Sequence, residues 1–247
     1  MDLLLLTLAA TATAVATGLG AVPVFFLGER AATLRPWLLG FAAGVMGVAS
    51  IVGLLLPALD EGSAAEAASG TALGVAFLLA SRWVIDASRS RVATESWSAE
   101  RRTALLVFLV LFVHSLPEGF AIGTAYASDT AGLSLFVILA IGAQNVPEGT
   151  SVALPLAAAG YGRARQFWAA VGTSAPQPVG AVVAYLLVEQ IEALLPISFA
   201  FAAGAMLALI VFELGPSAIA SGQPRSAVAG TAVGAGAMLA LSALLGV

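Results

Sequence analysis

Residues 102–126 read RTALLVFLVLFVHSLPEGFAIGTAY, an apolar stretch that contains a polar six-residue motif, here called a polar word. A helix of roughly 17–25 mainly apolar residues is long enough to cross a lipid bilayer. The polar word, HSLPEG at 114–119, returns thirty positions later as QNVPEG at 144–149. A glutamate at the centre of a bilayer costs about 3 kcal/mol. Two glutamates in matching positions of apolar segments therefore imply a compensating partner, and a divalent metal ion suits a histidine and carboxylates together.

The composition of the whole chain agrees with a membrane location. Hydrophobic residues make up 60% of the chain and charged residues 10%, whereas a soluble domain has about 25% charged residues. The chain has no cysteine, which excludes disulfides and thiolate metal sites. The net charge is −4 and no basic cluster occurs, so we expect a lipid bilayer around the protein and no nucleic acid partner.

Eight segments have the length and apolar character of membrane spans. The sequence therefore predicts an all-α integral membrane protein, a bundle of eight transmembrane helices in a single domain that covers residues 1–247. The predicted spans are 3–27, 37–57, 69–86, 102–126, 132–158, 165–189, 194–220 and 226–246.

The arginines indicate how the bundle is oriented. All ten lie in or beside the first, third, fifth or seventh connection between spans. Basic residues concentrate on the cytoplasmic side of membrane proteins, so we expect both termini outside a cell membrane (plasma or inner). The opposite connections carry acidic residues and no basic ones, which raises the local concentration of cations.

The repeated polar word lies on the fourth and fifth spans, which run antiparallel. Matching words on antiparallel helices imply a pseudo-two-fold axis in the membrane plane. Inverted repeats of this kind are typical of transporters, with the binding site where the repeats meet.

Four side chains in the two words form a candidate metal site. His114 and Glu118 are four residues apart and share one helix face, and Gln144 and Glu148 do the same on the next span. An imidazole, two carboxylates and an amide oxygen suit Zn²⁺ and tolerate Fe²⁺, Mn²⁺ or Cd²⁺. The alternative is structural: a histidine satisfied in the core and protonated glutamates hydrogen-bonded across helices.

Further polar residues lie within the spans. Ser115 and Asn145 follow the first ligand of each word, and Gln177 lies between two prolines in the sixth span. Glu213 lies in the cytoplasmic half of the seventh. It is either a relay ligand on the path of an ion or a helix-end carboxylate that reaches water.

These motifs resemble the ZIP family of divalent-metal transporters (the zinc- and iron-regulated-transporter-like proteins), in its prokaryotic branch. HSLPEG, QNVPEG and PQPVG at 176–180 are similar to the family's motifs in spans four, five and six. The resemblance implies a primary metal site of the four residues His114, Glu118, Gln144 and Glu148. It also implies an adjacent second site at Ser115, Asn145 and Gln177, and an acid near the inner exit at Glu213. Because the three second-site residues are neutral here, we expect one tightly held metal and a second site that is weak or empty.

The resemblance also implies a mechanism. Metal moves toward the cytoplasm by an elevator-type motion in which spans one, four, five and six shift against the others. The family tends toward homodimers, and the transported ion is the substrate, with no cofactor besides. The glycines of the second and third spans would provide either smooth sliding surfaces or plain tight packing; they are Gly40, Gly44, Gly47, Gly53, Gly70 and Gly74.

Two other functions are compatible with buried glutamates. An intramembrane metal-dependent hydrolase needs a motif such as His-Glu-x-x-His, and this chain has one histidine, so we expect no enzyme. A proton-linked carrier of an organic substrate would use Glu118 and Glu148 as proton relays. Stoichiometric binding of Zn²⁺ or Cd²⁺ distinguishes metal transport from such a carrier.

Overall fold

The computed structural model describes residues 3–92 and 98–247, and the regular elements in these ranges are helices. Four short turns interrupt or join them: 3₁₀ turns at Gly28–Leu34 and Glu192–Leu194, and π turns at Ile51–Leu55 and Ile210–Leu214. The α-helices are α1 Leu3–Leu19, α2 Val22–Leu27, α3 Arg35–Ser50, α4 Leu56–Asp60, α5 Ala64–Val92, α6 Ala99–Ala127, α7 Leu133–Ala158, α8 Arg163–Thr173, α9 Pro176–Gln190, α10 Leu195–Leu209, α11 Gly215–Ala220 and α12 Pro224–Leu245.

Seven segments of the described residues are long and apolar enough to cross a membrane, which makes this a multi-pass membrane protein. They correspond to seven of the eight predicted spans: Leu3–Leu27, Arg30–Asp60, Ala64–Ala87, Ala99–Ala127, Arg163–Gln190, Glu192–Ala220 and Pro224–Leu245. The remaining predicted span, 132–158, forms the 26-residue helix α7. This helix carries Gln144, Asn145 and Glu148 at its centre, and these polar residues lower its hydropathy. An eighth crossing and outside termini therefore stay predictions.

An internal repeat relates the second and third spans to the seventh and eighth. FAAGVM at 41–46 matches FAAGAM at 201–206, and GTALG at 70–74 matches GTAVG at 230–234, so both pairs are 160 residues apart. The prediction from the sequence placed a repeat only in spans four and five, because short polar motifs stand out in apolar helices and a glycine pattern does not.

The repeated glycines make equivalent contacts. A β-carbon on Gly44 of α3 would lie 2.2 Å from the carbonyl oxygen of Thr231 in α12, and one on Gly204 of α10 would lie 2.2 Å from that of Thr71 in α5. Such distances leave room for glycine alone. The α3–α12 and α5–α10 pairs therefore pack backbone to backbone in the same way.

Close glycine contacts of this kind join the long helices in pairs, α3 with α12, α5 with α10, α6 with α9 and α1 with α7, and we group these pairs into two sets. One set, the frame helices, comprises α3, α5, α10 and α12. The other, the site helices, comprises α1, α6, α7, α8 and α9, in which Gly119 and Gly123 of α6 meet the backbone of α9 and Gly149 of α7 meets that of α1. Between the two sets, Gly53 meets only side chains, chiefly that of Phe136 in α7.

For four of these glycines the structure agrees with tight packing, the second of the two interpretations that the sequence left open. A β-carbon at any of them would lie 2.0–2.6 Å from a backbone oxygen of another frame helix, so they hold helices together. The pairs are Gly40 with Ala227, Gly44 with Thr231, Gly70 with Ile197 and Gly74 with Phe201. Gly47 has looser surroundings, with its nearest neighbour at 3.9 Å.

Candidate metal centre

The four predicted ligands lie in the interior of the protein, midway along α6 and α7. Their exposed fractions are 4% for His114, 1% for Glu118, 0% for Gln144 and 5% for Glu148. None of the four faces the lipid. Proline within each word removes a backbone N–H from the helix interior, and yet α6 and α7 continue through Pro117 and Pro147.

The glycine that ends each word brings a neighbouring helix close to the glutamate before it. A β-carbon on Gly119 would lie 2.3 Å from the carbonyl oxygen of Gln177 in α9. One on Gly149 would lie 1.7 Å from that of Thr17 in α1. Residues 177 and 17 are again 160 apart, so the internal repeat also orders the helices around the candidate site.

Two amides hold the carboxylate of Glu118. Gln144 Nε2 donates to Glu118 Oε1 at 2.8 Å, and Gln177 Nε2 donates to Glu118 Oε2 at 2.5 Å. The carboxyl group of Glu148 interacts directly with that of Glu118. The two glutamates are thus neighbours, and one of them is fixed at both oxygens.

Several atoms of the four residues are buried without a hydrogen-bond partner among the described residues. They are His114 Nδ1 and Nε2, Gln144 Oε1 and Glu148 Oε1. More than about 90% of buried polar groups in proteins are hydrogen-bonded, so such atoms concentrated at one place suggest a missing ligand. An imidazole nitrogen, an amide oxygen and a carboxylate oxygen are all donors to divalent metals.

A small cavity adjoins this place. Its volume is about 10 Å³, roughly the room that one water molecule needs. His114, Pro117 and Glu118 form the wall that belongs to α6. The opposite wall comes from the frame helices α5 and α10, through Leu78, Ala205, Met206 and Leu209. The cavity therefore lies at the boundary between the two helix sets.

The predicted ligands are not arranged as a finished coordination sphere. In residues 3–92 and 98–247, no three His, Cys, Asp or Glu side chains come together in a group that could hold a metal ion. His114 and Glu118 share the cavity, whereas Glu148 reaches Glu118 from α7. A common site for all four residues requires a local change in which these side chains converge.

The predicted second-site residues Ser115 and Asn145 make equivalent hydrogen bonds. Ser115 Oγ donates to the carbonyl oxygen of Thr173 at 2.7 Å, and Asn145 Nδ2 donates to that of Thr13 at 2.7 Å. The two threonines are 160 residues apart. Neither threonine was among the predicted site residues, although the 160-residue spacing of the repeat relates them.

Gln177 completes a neutral hydrogen-bond network. Its Oε1 accepts from Asn145 Nδ2 and from Thr13 Oγ1, both at 3.2 Å, while its Nε2 holds Glu118. The equivalent residue in the other half, Thr17, bonds instead to Ser174 at 2.6 Å between hydroxyl oxygens. Glu118 is therefore held by an amide from a third helix, and Glu148 has no counterpart of that bond.

Glu213 lies apart from these residues, in the π turn Ile210–Leu214. Its Oε1 is 3.1 Å from Arg82 Nη1, and the same nitrogen donates to the carbonyl oxygen of Phe212 at 2.6 Å. The sequence left open a relay ligand or a carboxylate that reaches water. The structure adds an ion pair to α5, which the sequence analysis did not predict.

Comparison with known proteins places these features in a family. The model of the family described as ZIP Zinc transporter matches residues 84–242. The chain is 33% identical to the zinc transporter GufA of Myxococcus xanthus, over 94% of this chain and 95% of that protein. It is 34% identical to the zinc transporter ZIPB of Bordetella bronchiseptica, over 94% and 78%. It is 32% identical to a putative zinc transporter of Arabidopsis thaliana, of which it spans 38% of the length.

Proposed function

Since the chain belongs to the ZIP family of zinc transporters, we propose that it carries divalent metal cations across the cell membrane toward the cytoplasm. Zinc is the foremost substrate, and Cd²⁺, Fe²⁺ and Mn²⁺ suit the same donor set. Members of this family are transporters and not enzymes.

One observation carries the proposal: buried donor atoms without partners lie on residues that the metal-site hypothesis names. His114, Gln144 and Glu148 each present such an atom at membrane depth, where no water is present to satisfy it. A cation that replaced its hydration shell with these atoms would satisfy all three. It would also offset the charge of the two neighbouring carboxylates.

The binding of a single ion follows from the neutral network beside the site. Two divalent ions a few ångströms apart repel strongly unless carboxylates surround them. Here Ser115, Asn145 and Gln177 are neutral and already hydrogen-bonded to the protein. The adjacent second site of the family is therefore empty in this chain, and one metal occupies the primary site.

The test is metal binding and uptake by the full chain reconstituted in liposomes. We expect saturable uptake of Zn²⁺, compared side by side with Cd²⁺, Fe²⁺ and Mn²⁺, and one Zn²⁺ bound per chain at equilibrium. Liposomes without protein provide the background. Uptake of none of the four metals would contradict the proposal, and two ions bound per chain would contradict the single site. A carrier of organic solutes would not bind Zn²⁺ stoichiometrically.

The direction of transport is supported by an acidic cavity at the predicted outer ends of the helices. The cavity measures about 350 Å³ and carries four carboxylates, those of Glu61, Asp129, Glu189 and Glu192. Such a surface concentrates cations. The arginines lie at the other ends of the spans, which the positive-inside rule assigns to the cytoplasm. Metal would then leave near Glu213, which lies toward that side.

We further propose that the site helices move as one body against the frame helices, which is the elevator-type motion. Glycine contacts between backbones fasten the pairs α3–α12 and α5–α10 of the frame helices and the pairs α6–α9 and α1–α7 of the site helices. Between the sets, Gly53 meets side chains alone, and Phe120 of α6 contacts Phe201 of α10 with ring centroids 5.5 Å apart. Side-chain contacts can be exchanged during a shift, whereas interlocked backbones cannot separate without losing close packing.

Cross-linking tests this division, because the chain has no cysteine of its own. Joining Phe120→Cys to Phe201→Cys with a short bifunctional thiol reagent connects the two sets, and we expect zinc uptake to fall at least about tenfold on linking. Joining Thr17→Cys to Ser174→Cys, whose native hydroxyls are 2.6 Å apart, stays within the site helices and should leave uptake unchanged.

Each cross-linking variant, measured before its two cysteines are joined, is its own control. Equal uptake with and without the Phe120–Phe201 link would show that the two sets do not move relative to one another.

A further inference from the structure

An amphipathic groove lies far from the metal centre, where α6 and α8 begin and α7 ends. Its volume is about 310 Å³. The apolar wall consists of Ala104, Leu105, Phe108, Leu156 and Ala169, and Arg101 and Tyr161 form the polar end. The groove is thus lined with hydrocarbon along its length and is polar at one end only.

Two arginines share one aromatic ring at the polar end. The guanidinium carbon of Arg101 is 5.9 Å from the ring centroid of Tyr161, and that of Arg165 is 5.6 Å from it. Within the part of the chain that the structure describes, neither guanidinium has a carboxylate within 4.0 Å. Two like charges beside one ring, with no counter-ion among the described residues, create a place for an anion.

Trp168 indicates the depth in the membrane at which the two arginines lie. It follows Arg165 by one turn of α8, and its side chain is 65% exposed. Exposed tryptophan and tyrosine side chains mark the interface between hydrocarbon and headgroups. Arg101, Arg165 and Tyr161 are therefore at headgroup level, with the apolar wall of the groove extending toward the membrane core.

We propose that this groove binds an anionic phospholipid. The phosphate group lies between Arg101 and Arg165, and an acyl chain follows the apolar wall along Leu105, Phe108 and Leu156. A free phosphate would use the arginines but leave the apolar wall empty, whereas a phospholipid matches both parts. Because α6, α7 and α8 are all site helices, the lipid would be held by a single set of helices. The inference does not depend on which metal is transported.

The test is lipid retention by the full chain, measured by native mass spectrometry after purification in detergent and addition of phosphatidylglycerol or phosphatidylcholine. We expect phosphatidylglycerol to bind and phosphatidylcholine to bind at least about fivefold more weakly. The double variant Arg101→Gln with Arg165→Gln should bind phosphatidylglycerol about tenfold more weakly than the native chain.

Arg225→Gln is the matched control, since Arg225 is an exposed arginine at the start of α12, outside this groove. This variant should retain phosphatidylglycerol as the native chain does. Equal binding of the two lipids, or an equal loss in Arg225→Gln and the double variant, would overturn the proposal. So would displacement of phosphatidylglycerol by inorganic phosphate at similar concentration. All substituted side chains are exposed, and circular dichroism checks that the variants fold.

Discussion

Replacing His114 with alanine is expected to reduce zinc uptake by the reconstituted protein at least about tenfold. The substitution removes the only imidazole in the chain, and both nitrogens of that ring are buried without a hydrogen-bond partner in the described residues. Since no protein contact depends on these nitrogens, we expect the fold to persist while metal affinity is lost. The measurement is initial uptake of Zn²⁺ into liposomes at several metal concentrations.

Thr124→Val provides a control on the same helix. Thr124 is also fully buried, and its hydroxyl likewise has no partner in the described residues, but it lies almost three turns beyond His114. Uptake by this variant should match the native chain. If His114→Ala keeps more than half of the native uptake while Thr124→Val behaves normally, the four-residue metal site is wrong.

Replacing Gly149 with alanine is expected to lower the melting temperature of the protein by about 2–12 °C. The added β-carbon would lie 1.7 Å from the carbonyl oxygen of Thr17 and 2.8 Å from the carbonyl carbon. A backbone atom cannot move aside as a flexible side chain can, so α1 and α7 must separate. Overpacking of this kind costs about 1–3 kcal/mol or more, and 1 kcal/mol corresponds to about 2–4 °C in a chain of this length.

Gly236→Ala is the matched control for that experiment. Gly236 lies within α12, and a β-carbon there would meet nothing within 4 Å. Alanine favours a helix interior by about 1 kcal/mol over glycine, so the melting temperature should stay or rise. The melting temperatures are measured by thermal denaturation in detergent. Equal melting temperatures for Gly149→Ala and the native chain would show that α1 and α7 do not approach as closely as described.

Sequence reasoning anticipated the buried position of the four candidate ligands. The signal was strong because charged and amide side chains inside apolar segments have few physical explanations. The same polarity made α7 the one predicted span that falls outside the seven membrane-crossing helices. A motif that reveals a site thus weakens the hydropathy by which a span is recognised.

The contacts around the site could not be predicted from single residues. The family resemblance placed Asn145 in a second metal site expected to be weak or empty, and in the structure its side-chain nitrogen donates to the carbonyl oxygen of Thr13. That bond depends on the register between α1 and α7, which Gly149 sets. The pairing of Arg82 with Glu213 likewise depends on how α5 packs against α10. The residue types indicate which side chains can bind a metal, whereas their hydrogen-bond and ion-pair partners depend on how the helices pack.

The two glutamates differ in the hydrogen bonds that their carboxylates accept, and this difference gives them different roles in binding an ion. Both oxygens of Glu118 already accept an amide N–H, so its rotamer is frozen before any cation arrives and little side-chain entropy remains to be lost. Glu148 keeps an unsatisfied oxygen. A cation would therefore find Glu118 already ordered, at little further cost in side-chain entropy, and would give the unsatisfied oxygen of Glu148 a partner.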